Sequence, residues 1–245
     1  MPKLFIGCSG FNYPHWKDTF YPHGLPQKRW LEHYRSIFST VELNVTFYRL
    51  PLASSFNRWY HETPADFVFS IKGSRYITHI KRLLDPKEPL ELFFERAELL
   101  KEKLKVVLWQ LPPNFHVDIE RLYKFIKLLK SYPVRHTFEF RHESWITDDI
   151  VNLCKKNKVS LCMADAPEFV YDLPVTADFV YIRRHGAKGI NGDYTKKFLE
   201  SDAERINEYM RKGKDVFIYF NNDAYGYAPK NARLLMEIMQ MEPVT

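Results

Sequence analysis

Ionisable side chains follow several of the apolar segments of this 245-residue chain, in positions where they would meet at one site. Glu42 and Glu139 each lie near the end of such a segment, and His185 directly follows another. Carboxylates and imidazoles serve in acid–base catalysis because their neighbours can shift their pKa values towards neutral pH. We therefore predict Glu42, Glu139 and His185 as the catalytic groups.

Cationic and amide side chains near the same segment ends favour an anionic ligand. Lys72 ends one segment, Arg141 follows Glu139 closely, and Arg183 closely precedes His185. The planar guanidinium fork matches the oxygen atoms of phosphate and carboxylate groups. The other predicted substrate-binding residues are Asn44, His79, Gln110, Trp145, Asn221 and Asp223.

Short strand-like segments alternate with segments of helical periodicity along the whole chain. The predicted strands cover 4–7, 40–48, 67–72, 106–111, 136–140, 160–164, 179–182 and 216–220. The predicted helices cover 28–38, 54–61, 89–104, 118–130, 147–156, 196–212 and 229–241. Eight strands at a mean period of roughly 30 residues predict an α/β fold, a single-domain (β/α)8 TIM-type barrel over residues 1–245.

One segment departs from this regular alternation. Residues 165–178 contain Pro167 and Pro174, so we expect an irregular connection between the sixth and seventh strands. A doubly wound open sheet is the alternative fold, but no GxGxxG or Walker A sequence follows any predicted strand.

The predicted barrel determines where the polar residues meet. Such barrels carry their active sites at the carboxyl ends of the strands, so the side chains that end each segment would converge on one mouth. Two-residue alternation places Glu42, Asn44 and Thr46 on one face of the second strand. A structural interpretation stays open, in which Glu42, Glu139, Arg141 and Asn44 form a paired network that fills the upper barrel.

Motifs spread along the chain carry a resemblance to a known family. The run Glu-Leu-Asn-Val-Thr-Phe-Tyr over 42–48 is similar to a hallmark of the YecE-like family, a domain of unknown function. Supporting motifs lie at 7–10, 72–79, 110–113, 139–145, 183–186, 220–223 and 228–232. The resemblance implies a TIM-type barrel similar to those of sugar isomerases and metal-dependent apurinic-site endonucleases, and it brings no settled activity. Arg184 departs from the expected pattern, which has an uncharged residue there, and we expect it to add positive charge at the rim.

The composition limits the classes of binding partner and the cellular compartment that we expect. With 36 Lys and Arg against 30 Asp and Glu, and 16% aromatic residues, the chain is not disordered and has a slight preference for anionic partners. No apolar stretch approaches the roughly 20 residues that cross a bilayer, so no membrane partner is expected. The N-terminus enters a strand without a signal peptide, and Cys8, Cys154 and Cys162 form no CxxC, which predicts a reduced, cytoplasmic protein. Cys8 and Cys162 lie in apolar runs, so we expect them to be buried thiols.

These observations support three hypotheses of function. The first is an enzyme, a hydrolase or isomerase, that acts on an anionic small molecule or nucleic acid by acid–base or hydrolytic chemistry. The second is a non-catalytic nucleic-acid-binding protein whose loop aromatics, between Phe11 and Tyr21, stack on bases. The third is a metal-dependent endonuclease-like hydrolase. No cofactor or metal site is predicted because no HExxH or His-x-His spacing occurs, although Glu42, Glu139, Asp165, His185 and Asp223 leave a divalent metal open.

Overall fold

Eight parallel strands close into a barrel in a computed structural model, which describes residues 1–166, 169–170, 172–189 and 191–241. The barrel strands are β1 (Leu4–Cys8), β2 (Thr40–Leu43), β3 (Val68–Lys72), β4 (Leu104–Gln110), β5 (Arg135–Glu139), β6 (Ser160–Ala166), β8 (Phe179–Arg184) and β9 (Asp215–Phe220). Their order is β5-β4-β3-β2-β1-β9-β8-β6, and pairing of β5 with β6 completes the circle. The predicted TIM-type barrel is confirmed.

Helices surround this barrel and connect its strands. They are α1 (Trp30–Arg35), α2 (Val45–Tyr48), α3 (Ala53–Glu62), α4 (Lys87–Ala97), α5 (Ile119–Leu129), α6 (Asp148–Asn157), α7 (Lys196–Arg211) and α8 (Tyr227–Ile238). Asp118 and Thr147 accept hydrogen bonds from backbone N–H groups at the starts of α5 and α6, as their positions predicted. Among the described residues, no helix has the length and apolar character required to cross a membrane.

The connection between β6 and β8 lacks a helix in its described part, in agreement with the predicted irregularity. Its described residues include the short strand β7 (Phe169–Val170), which pairs antiparallel with β6. Pro167, on which part of that prediction rests, lies outside the described residues.

The prediction of a strand over 40–48 is wrong in its second half. β2 ends at Leu43, and the backbone of Asn44 is helical and leads directly into α2. The hydroxyl of Thr46 donates to the carbonyl oxygen of Lys72 at 2.6 Å, a bond that anchors α2 on the end of β3. This contact from a distant segment overrides the β propensity of the local sequence.

Side chains alternate between the barrel interior and the outer shell along each strand. On β8, Phe179 and Tyr181 pack inside the barrel, whereas Val180 and Ile182 pack against the surrounding helices. The three cysteines are free thiols and are buried, as predicted for Cys8 and Cys162. Apolar side chains and a few hydroxyls that bond one another, such as those of Thr40, Ser70 and Tyr219, fill the barrel below the top layer. The charged groups of the interior lie in the top layer, at the carboxyl ends of the strands.

Two of the strand pairings are much shorter than the others in the described ladders. β1 meets β2 only at Cys8 and Val41, and β5 meets β6 only at Thr137–Ser160 and Phe138–Leu161. In contrast, the β8–β9 ladder runs from Phe179 to Arg184. The two short ladders lie on opposite sides of the barrel, and we call them the seams.

Candidate functional site at the barrel mouth

Arg183 stands at the centre of the top layer and joins two carboxylates from other strands. Its Nη2 donates to Glu42 Oε1 at 2.8 Å, and its Nη1 donates to Glu139 Oε2 at 2.6 Å. The hydroxyl of Tyr181 donates to the second oxygen of Glu42 at 2.6 Å. All four side chains are buried, and we call them the Arg183 cluster. The predicted convergence of Glu42, Glu139 and Arg183 is thus found at the carboxyl ends of β2, β5 and β8.

Glu139 is bound from further directions by residues of β4 and of the loop after β5. Gln110 Nε2 and Arg141 Nε each donate to Glu139 Oε1 at 2.8 Å. Burial opposes ionisation of this carboxyl, but the guanidiniums of Arg183 and Arg141 outweigh burial and hold its pKa well below the usual range. Glu139 is therefore an anion at neutral pH, and Arg141 extends from it towards solvent with 24% of its side chain exposed.

His185 joins the same group from the loop after β8. Its Nδ1 lies 3.0 Å from Asn221 Nδ2, and its Nε2 lies 3.3 Å from Arg183 Nη1 and 3.7 Å from Glu139 Oε1. Burial, together with the positive charge of Arg183, lowers the pKa of His185 to about 3. The imidazole is therefore neutral at physiological pH, and it can accept a hydrogen bond at one ring nitrogen only.

Lys72 ends β3 above the Arg183 cluster and is held differently from the arginines. Its side chain is 7% exposed, its Nζ lies 3.9 Å from the ring centre of Phe47, and no hydrogen-bond acceptor is found for Nζ among the described residues. Burial and the charge of Arg183 lower the pKa of Lys72 to about 7. Both protonation states of this amine are therefore populated near neutral pH.

His79 lies beside Lys72, on the loop that follows β3. Its ring packs edge-on against Phe47 at 4.8 Å, and its Nδ1 is 2.9 Å from the hydroxyl of Thr78. Burial and the nearby charge of Lys72 lower the pKa of His79 to about 4. Phe47 thus contacts both the amine of Lys72 and the imidazole of His79.

Two predicted site residues lie at the β1 side of the mouth, apart from the Arg183 cluster. Asn44 Nδ2 donates to the carbonyl oxygen of Ser9 at 3.2 Å, because the backbone turns into α2 at this residue. The backbone oxygen of Asp223 accepts a hydrogen bond from Trp16 Nε1 at 3.3 Å, and burial raises the pKa of its carboxyl group. Within the part of the chain that is described, neither side chain bonds to the carboxylates of the cluster.

Two further expectations are corrected by the packing of the outer shell. Trp145 was predicted to bind substrate, but it is buried, stacks on Phe140 at 4.9 Å and donates to the carbonyl oxygen of Phe115. Arg184 was expected to add charge at the rim, but alternation along β8 points it outward, where its Nε donates to Asp202 on α7 at 2.7 Å. Neither residue is available to a ligand in the mouth.

The aromatic loop after β1 is largely a packed element rather than an open stacking surface. Trp16 and Tyr21 are fully buried, and Tyr21 stacks on Trp30 with 4.7 Å between the ring centres. The packing of these rings fixes the position of the loop against α1. Most rings of this loop therefore pack against the protein and are not free to stack on bases.

The carboxylates of the mouth do not form a ready metal site. Among the described residues, no three His, Cys, Asp or Glu side chains are grouped so that they could hold one ion. Arg183 occupies the position between Glu42 and Glu139, and Asp165 is bound by the hydroxyl of Tyr194 at 2.5 Å. A cation at this position would have to displace the guanidinium.

Two residues of the site were missed by the sequence analysis, Tyr181 and Phe47. Tyr181 precedes Arg183 by two positions, so the alternation that placed Arg183 inside the barrel also predicts an inward Tyr181. Phe47 lies in the stretch that was assigned to a strand, and its place over Lys72 follows from the helical turn instead. The first was detectable from spacing, whereas the second depends on tertiary structure.

Comparisons with known proteins agree with this architecture. The UPF0759 protein YunF of Bacillus subtilis (strain 168) is 26% identical over 273 residues, with 98% of this chain and 95% of that protein covered. A DUF72 family protein from Thermotoga maritima MSB8 has a solved structure that is 30% identical, with a TM-score of 0.86 and coverage of 97% of this chain and 99% of that one.

A more distant likeness concerns the fold alone. The D-psicose 3-epimerase from Clostridium cellulolyticum H10, solved with D-tagatose, is 9% identical, with a TM-score of 0.59 and coverage of 97% of this chain and 98% of that one. It shares the barrel, which by itself says nothing of chemistry. The model of the family described as "Protein of unknown function DUF72" matches residues 5–245. The expected YecE-like motifs are compatible with this match, which spans every strand of the barrel, and the chain belongs to the DUF72 family.

Proposed function

We propose that this protein is an enzyme that binds a small anionic substrate at the barrel mouth and transfers protons there through Lys72. The observation that carries the proposal is the state of Lys72, a nearly buried amine above a charged cluster, without a hydrogen-bond acceptor among the described residues. A buried lysine with a lowered pKa is suited to accept and return protons near neutral pH.

The charge balance of the mouth supports an anionic substrate. Glu42 and Glu139 supply two negative charges, which the guanidiniums of Arg183 and Arg141 offset. Lys72 then adds positive charge whenever it is protonated. A phosphate or carboxylate group near Lys72 and the exposed part of Arg141 would balance this surplus.

The proposal shifts the proton-transfer role away from the carboxylates. Glu42 and Glu139 are each bound by a buried guanidinium, so a proton on either one would break an ion pair inside the barrel. We assign them to positioning, because they hold Arg183 and Arg141 in place. His185, neutral at physiological pH, would orient the substrate by a hydrogen bond together with Asn221.

The reaction class that this arrangement supports best is proton transfer next to a carbonyl or phosphoryl group, in an isomerase or a hydrolase. Removal of a proton needs a base whose pKa is close to the working pH, and among the titratable groups of the mouth Lys72 has that property. Arg141 would stabilise the negative charge that develops on the substrate.

A second candidate function, binding of single-stranded nucleic acid, is favoured by exposed tyrosines on loops of the mouth face. Tyr48 follows β2, Tyr76 follows β3 and Tyr225 follows β9, and Tyr48 is 76% exposed. Bases stack on such rings, and the excess of Lys and Arg would attract the backbone. This candidate predicts binding that weakens steeply with salt and survives Lys72→Met.

The proposed function is tested by measuring the protonation of Lys72 and its response to anions. We expect the Nζ resonance of Lys72, assigned with Lys72→Arg, to titrate near pH 7 in an NMR experiment. Phosphate and glycolate, as probes, should raise that pKa, and Arg141→Ala should abolish the response. A Lys72 that titrates like an exposed lysine, or an unchanged response in Arg141→Ala, would refute the proposal.

A further inference from the structure

Trp59 differs from the other tryptophans of this chain in its hydrogen bonding. All five indoles are buried. Four of them donate their N–H, namely Trp16 to Asp223, Trp30 to Leu25, Trp109 to His136 and Trp145 to Phe115. Trp59 is 6% exposed, and its Nε1 has no acceptor among the described residues. A buried indole N–H usually has a partner, so this donor is available for a ligand.

A cavity of about 620 Å³ lies beside Trp59, bounded by α1, α3, the start of α2 and the loop after β1. Leu31 and Leu43 form a buried apolar floor, and the rims of Phe11 and Tyr48 form aromatic walls. Small-molecule sites commonly have volumes of roughly 300 to 1,000 Å³ and a largely apolar lining with a few polar groups. The cavity has the size and lining of such a site.

A second buried polar atom in the cavity wall lacks a partner and has the opposite polarity. Asn44 Nδ2 donates to the carbonyl oxygen of Ser9, which identifies the other atom of the amide as the acceptor Oδ1. That Oδ1 is buried, and no donor is found for it among the described residues. The wall therefore offers one unused acceptor, at Asn44, and one unused donor, at Trp59.

The rim of the cavity carries a small excess of positive charge, with Lys28 and Arg58 against Glu62. Lys28 has no carboxylate within 4 Å in the described part of the chain, whereas Arg58 is 3.8 Å from Glu62. A smaller adjoining cavity of about 330 Å³ shares Lys28 and Glu62, and its other charged residues, Glu32 and Arg35, balance each other. Lys28 is therefore the cation of the rim that an anionic group of a ligand would reach.

We propose that this cavity binds a planar heteroaromatic ligand that carries an anionic group, the chemistry of a nucleoside monophosphate. Its ring edge supplies a donor to Asn44 and an acceptor to Trp59, its face packs on Tyr48, and its phosphate lies near Lys28. A purine has both kinds of edge group, and its flat face suits an exposed tyrosine ring. The site uses neither Lys72 nor Arg141, so it stands apart from the proposed catalytic function.

The test is NMR of the five indole N–H groups of the ¹⁵N-labelled protein during titration with AMP. We expect one peak, identified by its loss in Trp59→Phe, to move downfield as the indole gains an acceptor, while the other four stay in place. Lys28→Ala should weaken AMP binding about fivefold, the effect of one exposed ion pair, and Lys155→Ala, a matched change on α6, should leave it unchanged.

Further probes separate the parts of the proposed ligand. Adenosine should bind the wild-type protein about fivefold more weakly than AMP, and Lys28→Ala should remove that difference. A short adenine oligonucleotide that moves the Trp59 peak in the same way identifies a strand end as the source, whereas a response to AMP alone identifies the free nucleotide. The proposal is overturned if AMP leaves the Trp59 peak in place, if inorganic phosphate alone moves it, or if Lys28→Ala and Lys155→Ala bind equally.

Discussion

Two adjacent arginines on β8 enter two different charge clusters, one inside the barrel and one outside it. Arg183 points inward and holds Glu42 and Glu139, whereas Arg184 points outward and forms an ion pair with Asp202 on α7. Both clusters are buried. The outer pair is closed between a strand and a helix, but the inner cluster lies under an open mouth, with Lys72 above it.

The comparison teaches that buried ion pairs alone do not identify a functional site. Arg184 and Asp202 balance each other, and their contact fixes α7 on the barrel. The inner cluster also balances its own charges, and what sets it apart is the additional amine of Lys72, which has no hydrogen-bond acceptor among the described residues and lies below the open mouth. The following predictions test whether the two clusters differ in this way.

The largest effect is expected from Arg183→Leu. This change deprives the buried Glu42 of its guanidinium partner and leaves the buried Glu139 with Arg141 but not Arg183, which we expect to cost about 4 kcal/mol in the free energy of unfolding. Urea denaturation at pH 7 measures it. Were Arg183→Leu no more harmful than an average surface substitution, the inner cluster would not be the central ion network of the barrel.

A somewhat smaller effect is expected from Arg184→Leu, about 3 kcal/mol, because only one carboxylate loses its partner. The double variant Arg184→Leu/Asp202→Leu should recover most of that loss, since an apolar contact can replace a closed ion pair. The same unfolding measurement applies. If the double variant is as unstable as Arg184→Leu, the outer pair has a role beyond joining α7 to β8.

Replacement of Lys72 should stabilise the protein in a pH-dependent way. The folded pKa of about 7 lies below that of an unfolded lysine, so the cost of keeping Lys72 buried is complete below pH 7 and disappears as the pH rises towards the unfolded value. Lys72→Met should therefore gain about 2 kcal/mol at pH 6 and little at pH 10. Lys103 is the control: it is buried too, but it donates to Tyr60 and Thr63, so Lys103→Met should lose stability.

The smallest effects are expected from two tyrosines, one in each region. Tyr181→Phe removes a hydrogen bond to Glu42, whereas Tyr194→Phe removes one to Asp165 and one from the backbone N–H of Gly186, at a cost of about 1 kcal/mol for each bond. The two should differ in a second measurement. Tyr181→Phe should change the NMR titration of Lys72, because Glu42 is one of the charges that act on it, and Tyr194→Phe should not.

Regular alternation explains why much of the barrel and its centre was predictable. Glu42, Glu139 and Arg183 meet because each lies near the end of its strand at a position that faces inward. The strand ends and the inward positions can both be predicted from the two-residue alternation of side chains along a strand. The same rule turns Arg184 outward. The expectation of rim charge there was wrong because it took account of the position of Arg184 at the end of its segment but not of the side of the strand on which it lies.

Other features depend on contacts between segments distant in the chain. The residues from Asn44 to Tyr48 have strand propensity, yet they form a helical turn because Thr46 bonds to the end of β3. Trp145 follows a strand end, but the loop folds back and buries it on Phe140. The missing acceptor of Lys72 likewise depends on the whole mouth, and no local pattern in the sequence predicts it.

The two seams indicate a mechanical role for the Arg183 cluster. They divide the barrel into one half with β2 to β5 and another with β6, β8, β9 and β1. Glu42 and Glu139 belong to the first half, whereas Arg183, Tyr181 and His185 belong to the second. The cluster therefore connects the two halves and opposes their separation. A ligand that contacts both Arg141 and His185 would strengthen this connection, and slower amide hydrogen exchange along both seams would report its binding.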